Sequence, residues 1–321
     1  MNLTPDAIAR EVAATGFGAR PLEKVLRLLG LLDALSSHPF LKPRIALKGG
    51  TALNLFHLEV PRLSVDIDLN YIGGADRESM LADRPRFEQA VQAVCLREGL
   101  AVRRVPTDHA GGKWRLTYSG STGAPGTLEL DVNFMLRTPL WPCVLTDCHL
   151  VGSVRPASVR VLDIHELAAG KLCALLARNA SRDMFDAYPL LNMAGLDPAR
   201  LRLAFVVYGG INRRDWRTVT TADATTDVDE VERQLLPMLR TNQVPSSRDL
   251  APWVDNLVAG IRDRLSLVLP LSDREIEFLR RLNDEGRIAP ELLTTDLRMQ
   301  ATLSEHPGLK WKALNVRKHR A

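Results

Sequence analysis

The sequence has few cysteines, and they lack the spacings typical of cysteine pairs. Its 321 residues contain four, at positions 95, 143, 148 and 173, and none of them forms a C-x-x-C pair. This distribution argues against a disulfide framework and against a structural zinc site. His149 follows Cys148, but only Cys143 lies nearby and no second pair stands at ligand spacing, so we expect no zinc there.

Long apolar runs, repeats and a basic apolar leader are also missing. There is no stretch of about 18 apolar residues, and residues 1–6 (MNLTPD) have neither a basic region nor an apolar core. We therefore expect no membrane span, no signal peptide and a cytoplasmic location. No internal repeat or low-complexity segment occurs, and 45% hydrophobic with 25% charged residues is typical of a globular chain. The length allows two domains.

The positive charge is unevenly distributed. The formal net charge is +4, from 42 lysines and arginines against 38 aspartates and glutamates. Five of the basic residues lie among the last twelve, where no acid occurs, so the rest of the chain is close to neutral. A basic C-terminal stretch can contact RNA phosphates, or it can be a solvated tail. These residues are Lys310, Lys312, Arg317, Lys318 and Arg320.

A glycine pair joins a predicted buried strand to a predicted helix. Residues 44–47 (RIAL) form a short apolar run, and Gly49 and Gly50 lead into residues 51–56 (TALNLF), which have helical spacing. Because glycine has no Cβ atom, backbone N–H groups here can approach a triphosphate, and a helix start adds unpaired donors and a positive dipole end. The pair predicts a phosphate-binding turn, although such a pair alone can also be an ordinary turn.

A second segment predicts two carboxylates on one face of a strand. Residues 62–69 read RLSVDIDL. Side chains alternate along a strand, so Ser64, Asp66 and Asp68 point one way and the apolar residues between them point into the core. Two neighbouring carboxylates favour a cation between them, and hard oxygen ligands suit Mg²⁺, which uses substrate phosphates to complete its shell. The alternative is an exposed strand with alternating acids.

The order and spacing of these two segments are more specific than either alone. Strand, Gly-Gly-Thr, helix and then Arg-x-Ser-x-Asp-x-Asp resembles the DNA polymerase beta superfamily of nucleotidyltransferases, and within it the AbiEii/AbiGii toxin family, to which the MenT toxins belong. Most of the superfamily has Gly-Ser where this chain has Gly-Gly-Thr at residues 49–51, and a shorter separation between the glycine turn and the Asp-x-Asp strand. The AbiEii-like branch is similar to this sequence in both respects. The resemblance implies that Asp66 and Asp68 are catalytic metal ligands. The nucleotide-binding residues it implies are Gly49, Gly50, Thr51, Arg62 and Ser64.

A later strand supplies a candidate third carboxylate. Alternation predicts strands over 101–105, 113–118 and 127–134. Polymerase-beta-like transferases have a third carboxylate on a later strand, and the resemblance assigns it to Asp131, with Glu129 as the alternative. Three carboxylates can hold two metal ions about 3.5–4 Å apart. The other interpretation is that both acids belong to the solvated face of a strand.

The second half of the sequence is helical in pattern, which predicts a boundary near residue 160. Residues 163–166 (DIHE) predict a capping box for a long helix that contains Lys171. A lysine among apolar residues most often buries its stem and extends its charge to solvent. The AbiEii-like pattern, however, has a lysine in such a helix followed by Arg-Asp-x-x-Asp, which here is residues 182–186.

This resemblance implies roles for four residues of the second half. Lys171 would contact the nucleotide phosphates as a point charge, and Asp186 would be the active-site acid. Asp183 and Asp186 are three residues apart, so they can share a helix face. Arg182 and Asp183 would contribute to nucleotide binding, although Asp183 can also orient Arg182 or cap the helix.

One further segment is a candidate for RNA contact. Residues 211–217 (INRRDWR) combine four charged groups, three of them arginines, with one aromatic. Such a cluster can bind RNA, or it can be a loop with ordinary surface arginines.

Together, these patterns predict an α/β fold with a mixed sheet. A polymerase-beta-like nucleotidyltransferase domain (1–160) would precede an all-helical C-terminal domain (161–321), with nucleotide in the cleft between them. The resemblance implies Mg²⁺-dependent transfer of a nucleotide from a nucleoside triphosphate to a hydroxyl, that of the tRNA 3′ end, by a toxin controlled by an antitoxin.

Two alternatives stay open at this point. The acceptor can be a small molecule or a protein hydroxyl, or the chain can be a nucleotide- or RNA-binding module without turnover. Asp66, Asp68, Asp131 and Lys171 together argue against the binding module, because binding alone does not need a full set of metal ligands.

Overall fold

A seven-stranded mixed sheet contains the predicted carboxylate strands. The computed structural model describes residues 3–105, 111–154 and 158–320. The strands are β1 (Ile45–Lys48), β2 (Asp66–Tyr71), β3 (Ala101–Val105), β4 (Gly111–Ser119), β5 (Pro125–Asn133), β6 (Val144–Thr146) and β7 (Val159–Val161). Their order is β3-β4-β5-β2-β1-β7-β6, with β2 parallel to β5 and antiparallel to β1. The predicted mixed sheet is confirmed.

The chain divides into two compact units. Unit 1 comprises residues 1–137, 143–162 and 233–244, and unit 2 comprises residues 138–142, 163–232 and 245–321. The main division therefore lies close to residue 160, but two short segments belong to the other unit. Nothing in the sequence pattern indicated either of them.

Four helices accompany the sheet in unit 1. They are α1 (Pro5–Thr15), α2 (Ala19–Ser37), α3 (Gly49–Ala52) and α4 (Arg77–Arg97), and α3 continues as a wider turn over Leu53–His57. Helix α2 packs on β2, β5 and β7. Its apolar side is fully buried and consists of Leu22, Val25, Leu28, Leu29 and Leu32. Burial of each of these side chains contributes about 1.5–3 kcal/mol to the free energy of folding.

Helix α4 continues through Pro85, although a proline inside a helical pattern favours a kink or a break. Proline removes one backbone hydrogen bond within a helix. Here Met80 on one side of the proline and Phe87 and Val91 on the other are buried in the unit. Packing on both sides outweighs the lost hydrogen bond, because helices in proteins are stabilised chiefly by tertiary contacts.

The alternation predicted around β2 is present. Val65, Ile67 and Leu69 are buried, whereas Asp66 and Asp68 are partly exposed. The strand begins only at Asp66, so the residues before it form a loop.

A segment from later in the chain, 233–244, holds this loop. The Leu63 amide donates to the Met238 carbonyl (2.9 Å), and Arg240 Nη1 donates to the Val60 carbonyl (2.8 Å). Val60 has a φ of 51°, a left-handed conformation that is strained for a β-branched residue. The segment therefore stabilises an otherwise unfavourable loop that leads into β2.

Unit 2 is helical throughout the part that the structure describes. Its helices are α5 (Ile164–Arg178), α6 (Ser181–Leu191), α7 (Pro198–Ile211), α8 (Val228–Glu230), α9 (Leu250–Arg264), α10 (Asp273–Glu285), α11 (Leu297–Glu305) and α12 (Pro307–Arg320). Helix α5 packs against α6 and α7, and α12 packs against α7 and α10. In either unit, no described helix is both long and apolar enough to cross a membrane.

The start of α5 differs from the predicted capping box. Asp163 caps the helix by accepting from the His165 amide (2.9 Å), but Glu166 does not reach back to residue 163. Its carboxylate instead accepts hydrogen bonds from the backbone amides of residues 140–141 and from the Tyr208 hydroxyl. These three donors outcompete the single capping bond to residue 163. Burial raises the pKa of Glu166 to about 7, and the three hydrogen bonds partly oppose that rise.

The basic C-terminal stretch lies on a packed helix, and Lys310, Arg317 and Lys318 are on its exposed side. Leu309 and Ala313 of α12 are buried. Lys310 pairs with Glu305, and the side chain of Arg320 lies outside the described residues.

Candidate active site

Three predicted carboxylates lie on one face of neighbouring strands. Asp66 and Asp68 are two residues apart on β2, and the register between β2 and β5 places Asp68 beside Asp131 and Asp66 beside Glu129. Residues in register on adjacent strands project from the same face of a sheet. The structure thus brings Asp66, Asp68 and Asp131 together, and we call these residues the carboxylate face.

The glycine turn packs directly against this face. Gly49 has a φ of +72°, and a Cβ atom at this position would collide with the Asp68 carboxylate. Glycine is required here for two reasons, since it adopts the left-handed conformation without strain and leaves room for the carboxylate. The neighbouring Gly50 uses its carbonyl to accept from the Asn54 side chain (3.0 Å).

Three other predicted nucleotide-binding side chains are buried. The Thr51 hydroxyl donates to the Asp66 carbonyl (2.5 Å) and lies 3.1 Å from the Ser64 hydroxyl. Arg62 is 3% exposed and donates to the Leu63 carbonyl (2.8 Å). These groups tie the glycine turn and the preceding loop to β2, so their hydroxyl and guanidinium groups face the protein interior.

Lys48 is a charged neighbour of the carboxylate face that the sequence reading missed. It ends β1 in register with Asp68. Burial raises the pKa of Asp131, the Lys48 charge opposes that shift, and the Asp68 charge adds to it. The signal that could have identified Lys48 is its position, since it follows the buried strand and immediately precedes the glycine pair.

Glu129 is already paired with cations on β4. Lys113 Nζ lies 2.6 Å and Arg115 Nε 3.6 Å from its carboxylate oxygens. The hydrogen bond from Lys113 is the main reason that the pKa of Glu129 lies below its usual range. This pairing favours Asp131 over Glu129 as the third carboxylate.

The carboxylate face fits a magnesium ion that relies on its substrate for further ligands. Within residues 3–105, 111–154 and 158–320, no three Asp, Glu, His or Cys side chains are grouped as a complete metal site. Mg²⁺ in phosphate-transferring enzymes is usually held by one or two carboxylates, with water and substrate phosphates completing the shell. Asp66 and Asp68 supply such oxygen ligands, and the raised pKa of Asp131 marks a position where added positive charge is stabilising.

A second cluster of predicted residues is buried in unit 2. Lys171 Nζ on α5 lies 2.7 Å from Asp183 Oδ1 and 2.8 Å from Asp186 Oδ2, both on α6. Arg178 Nε donates to the other oxygen of Asp183 (2.7 Å). Burial by itself would raise the pKa of Asp183, but Lys171 and Arg178 outweigh it and hold the pKa below its usual range. We call Lys171, Asp183 and Asp186 the lysine cluster.

This arrangement changes the interpretation of three residues. Lys171 is 8% exposed, so its charge stays inside the protein and does not extend to solvent. Asp183 binds Lys171 and Arg178, so it is not positioned to orient Arg182, which is partly exposed. An ammonium group has three donors and the two aspartates occupy two of them, which leaves one for a ligand oxygen.

The chain is similar to known proteins in both its sequence and its fold. A family model described as "Nucleotidyl transferase AbiEii toxin, Type IV TA system" matches residues 30–261. Among solved structures, the nucleotidyltransferase toxin MenT4 of Mycobacterium tuberculosis superposes with a TM-score of 0.56 at 18% identity, covering 96% of this chain and 99% of that one. JHP933 from Helicobacter pylori gives a TM-score of 0.47 at 16% identity over 78% of this chain and 95% of that chain. No curated protein sequence matches significantly.

Proposed function

The chain belongs to the AbiEii family of nucleotidyltransferase toxins, and from this premise we propose that it transfers a nucleotide from a nucleoside triphosphate to the 3′ end of tRNA. The observation that carries the proposal is the carboxylate face, with Asp68 in register with Asp131 and packed against Gly49. Membership in a toxin–antitoxin family implies an antitoxin partner. We expect the reaction to take place in the cytoplasm, where nucleoside triphosphates and tRNA are abundant.

The carboxylate face supplies the groups that this reaction needs. Asp66 and Asp68 would hold Mg²⁺, which offsets the negative charge of the triphosphate when bound. The acceptor hydroxyl attacks the α-phosphate in line, and pyrophosphate leaves. Asp131 would join Asp66 and Asp68 as the third metal ligand, because an added positive charge stabilises its buried carboxylate. The backbone N–H groups at Gly49 and Gly50 would bind phosphate oxygens, since the Thr51 and Ser64 hydroxyls are engaged internally.

The lysine cluster contributes a positioned ammonium group. Asp183 and Asp186 hold the Lys171 ammonium, and its remaining donor would bind a phosphate oxygen of the nucleotide. Arg182 is partly exposed on the same helix as the two aspartates, and we include it among the nucleotide-binding residues.

Labelled nucleotides test the proposed substrate class. Purified protein is incubated with each of the four α-labelled nucleoside triphosphates, Mg²⁺ and total RNA, cell protein or aminoglycosides in separate reactions. We expect label in the tRNA fraction with one or two of the nucleotides, and none without divalent metal. Periodate-oxidised tRNA, which lacks a free 3′ hydroxyl, is the control and should stay unlabelled. Label in the protein or aminoglycoside fraction alone would replace tRNA by another acceptor.

Gly49→Ala is expected to slow transfer about 10²-fold, because the added methyl group displaces Asp68 and small displacements of this kind carry costs of that order. Gly99→Ala is the matched control. Its φ is +75°, close to the +72° of Gly49, but a Cβ atom there meets nothing within 4 Å. Both variants carry similar backbone strain of about 1–2 kcal/mol, and only the first disturbs a carboxylate. Transfer rates and thermal unfolding are measured for both, and equal rates would contradict the role assigned to Gly49.

A further inference from the structure

A groove in unit 2 brings together two basic segments that are far apart in the sequence. It has a volume of about 680 Å³ and is formed by the end of α7, the end of α10 and one side of α12. Pockets that bind small ligands or single nucleotides have volumes of roughly 300–1,000 Å³. We call it the α12 groove. Its main lining residues are Asn212, Arg213, Asn283, Asp284, Trp311 and Lys312.

The groove unites the candidate RNA segment 211–217 with the basic C-terminal stretch. Lys312 Nζ donates to the Asn212 carbonyl (2.9 Å), which joins the two segments directly. His319 lines the same groove from the last turns of α12. In the sequence, neither segment alone was enough to predict a binding site, because each can also be ordinary protein surface.

The charge of the α12 groove favours an anion. Asp284 is the acid among the described residues that line the groove, and it lies 2.6 Å from Arg217 Nη1. Nη2 of the same arginine binds Asp215. The Arg213 side chain is exposed, and Lys312 makes its hydrogen bond to a neutral carbonyl. Asp215 also interacts with Lys312, so the three cations Arg213, Arg217 and Lys312 against the two acids Asp215 and Asp284 leave a net charge of +1 at the groove. The Lys312 ammonium is partly buried, so it gains more from an arriving phosphate than a fully solvated ammonium would.

The groove also offers an aromatic surface. Trp311 is 42% exposed, whereas Trp216, the aromatic residue of segment 211–217, is fully buried. An exposed tryptophan beside cations provides a face on which a nucleobase can stack.

We propose that the α12 groove binds a single-stranded segment of the RNA acceptor, with a base stacked on Trp311 and phosphates held by Arg213 and Lys312. This inference rests on the proposed function and adds to it a surface that recognises the acceptor. A single strand fits better than an acidic peptide, because the groove combines cations with a stacking face, and a peptide carboxylate would use only the cations.

Binding is tested without turnover in an Asp66→Asn background. Anisotropy of a short fluorescein-labelled single-stranded RNA gives the dissociation constant of each variant at several salt concentrations. Trp311→Leu should raise the dissociation constant about tenfold, because one stacking contact is lost, and Trp311→Phe should retain most of the affinity because it keeps an aromatic face. Arg213→Ala should lower the slope of log K against log salt by about 0.7. Arg248→Ala is the matched control, since Arg248 is an exposed arginine of unit 2 outside the groove, and its affinity should stay within about twofold of the parent.

The outcomes separate this inference from the proposed function. If wild-type protein labels tRNA but Trp311→Leu and Arg213→Ala bind RNA as the parent does, the groove inference is wrong and the proposed function stands. If groove variants lose RNA affinity while tRNA takes up no label, the α12 groove is still an RNA-binding surface and tRNA is not the acceptor. Unchanged RNA affinity combined with lost binding of a polyglutamate peptide would assign the groove to a protein partner. Circular dichroism checks folding, which substitution of the exposed Trp311 should leave intact.

Discussion

Asp66→Asn is expected to lose nucleotidyl transfer by at least about 10³-fold, since forfeiting a metal ligand removes several kcal/mol of transition-state stabilisation. Asparagine keeps the shape of the side chain but removes its negative charge. The fold should survive, because Asp66 is partly exposed and the Lys24 ammonium lies as far as 3.8 Å from its carboxylate. Transfer rates at several Mg²⁺ concentrations measure the effect, and the variant should require more Mg²⁺ for any residual activity.

Glu129→Gln provides the matched control for Asp66→Asn. Glu129 is the register neighbour of Asp66 on the same face of the sheet, and the substitution removes the same charge. It should change the rate less than about tenfold, because the Glu129 carboxylate already binds Lys113 and Arg115. Near-normal transfer by Asp66→Asn, or an equal loss in Glu129→Gln, would refute the assignment of the metal ligands.

Lys171→Met is expected to lower the free energy of unfolding by about 3–5 kcal/mol, because it leaves two buried aspartates without their shared ammonium. The sign of the pH dependence follows from the carboxylates. In the wild type, the depressed pKa of Asp183 stabilises the fold above the unfolded pKa, and this contribution is lost as the pH falls through the folded value. In the variant, which lacks the Lys171 charge, burial raises the pKa of Asp183 relative to the wild type. Protonation at acidic pH then removes the energetic cost of a buried, uncompensated carboxylate. Urea unfolding should therefore show the largest difference near pH 7 and a smaller one near pH 4.

A double variant separates packing from phosphate binding by Lys171. Lys171→Met with Asp186→Asn removes one buried charge along with its partner, so part of the lost stability should return. Triphosphate affinity, measured by calorimetry against the Asp186→Asn single variant, should stay low if the third ammonium donor binds phosphate. Full recovery of affinity would mean that Lys171 serves only to hold α5 and α6 together.

Local patterns predicted the elements of the fold better than their contacts. The alternation of residues 65–69 depends on neighbours within a few positions, and it is present in the structure. The capping box predicted at Glu166 is wrong because the distant amides of residues 140–141 outweigh the local preference. In the same way, packing of α4 on both sides of Pro85 outweighs the local tendency of a proline to end a helix.

The candidate site shows the same limit more clearly. Its residues were identified by resemblance, but their partners depend on strand order and helix packing, which no local pattern contains. Lys48 was missed because its relation to Asp131 exists only once three strands are aligned. The Thr51 hydroxyl contacts the Ser64 hydroxyl and the Asp66 carbonyl, and no sequence pattern predicted these contacts, since alternation predicts the side of a strand and not what covers it.

The late position of segment 233–244 has a consequence for how the protein is made. Arg240 supports the strained loop at Val60, and 180 positions separate them in the chain. At synthesis rates of about 5–20 residues per second, a nascent chain emerging from the ribosome waits roughly 10–40 s between these two residues. The loop before Asp66 lacks its support for all of that time. We therefore expect the carboxylate face to reach its final form only after most of the toxin has been translated, which leaves an interval in which the growing chain is not yet an active enzyme.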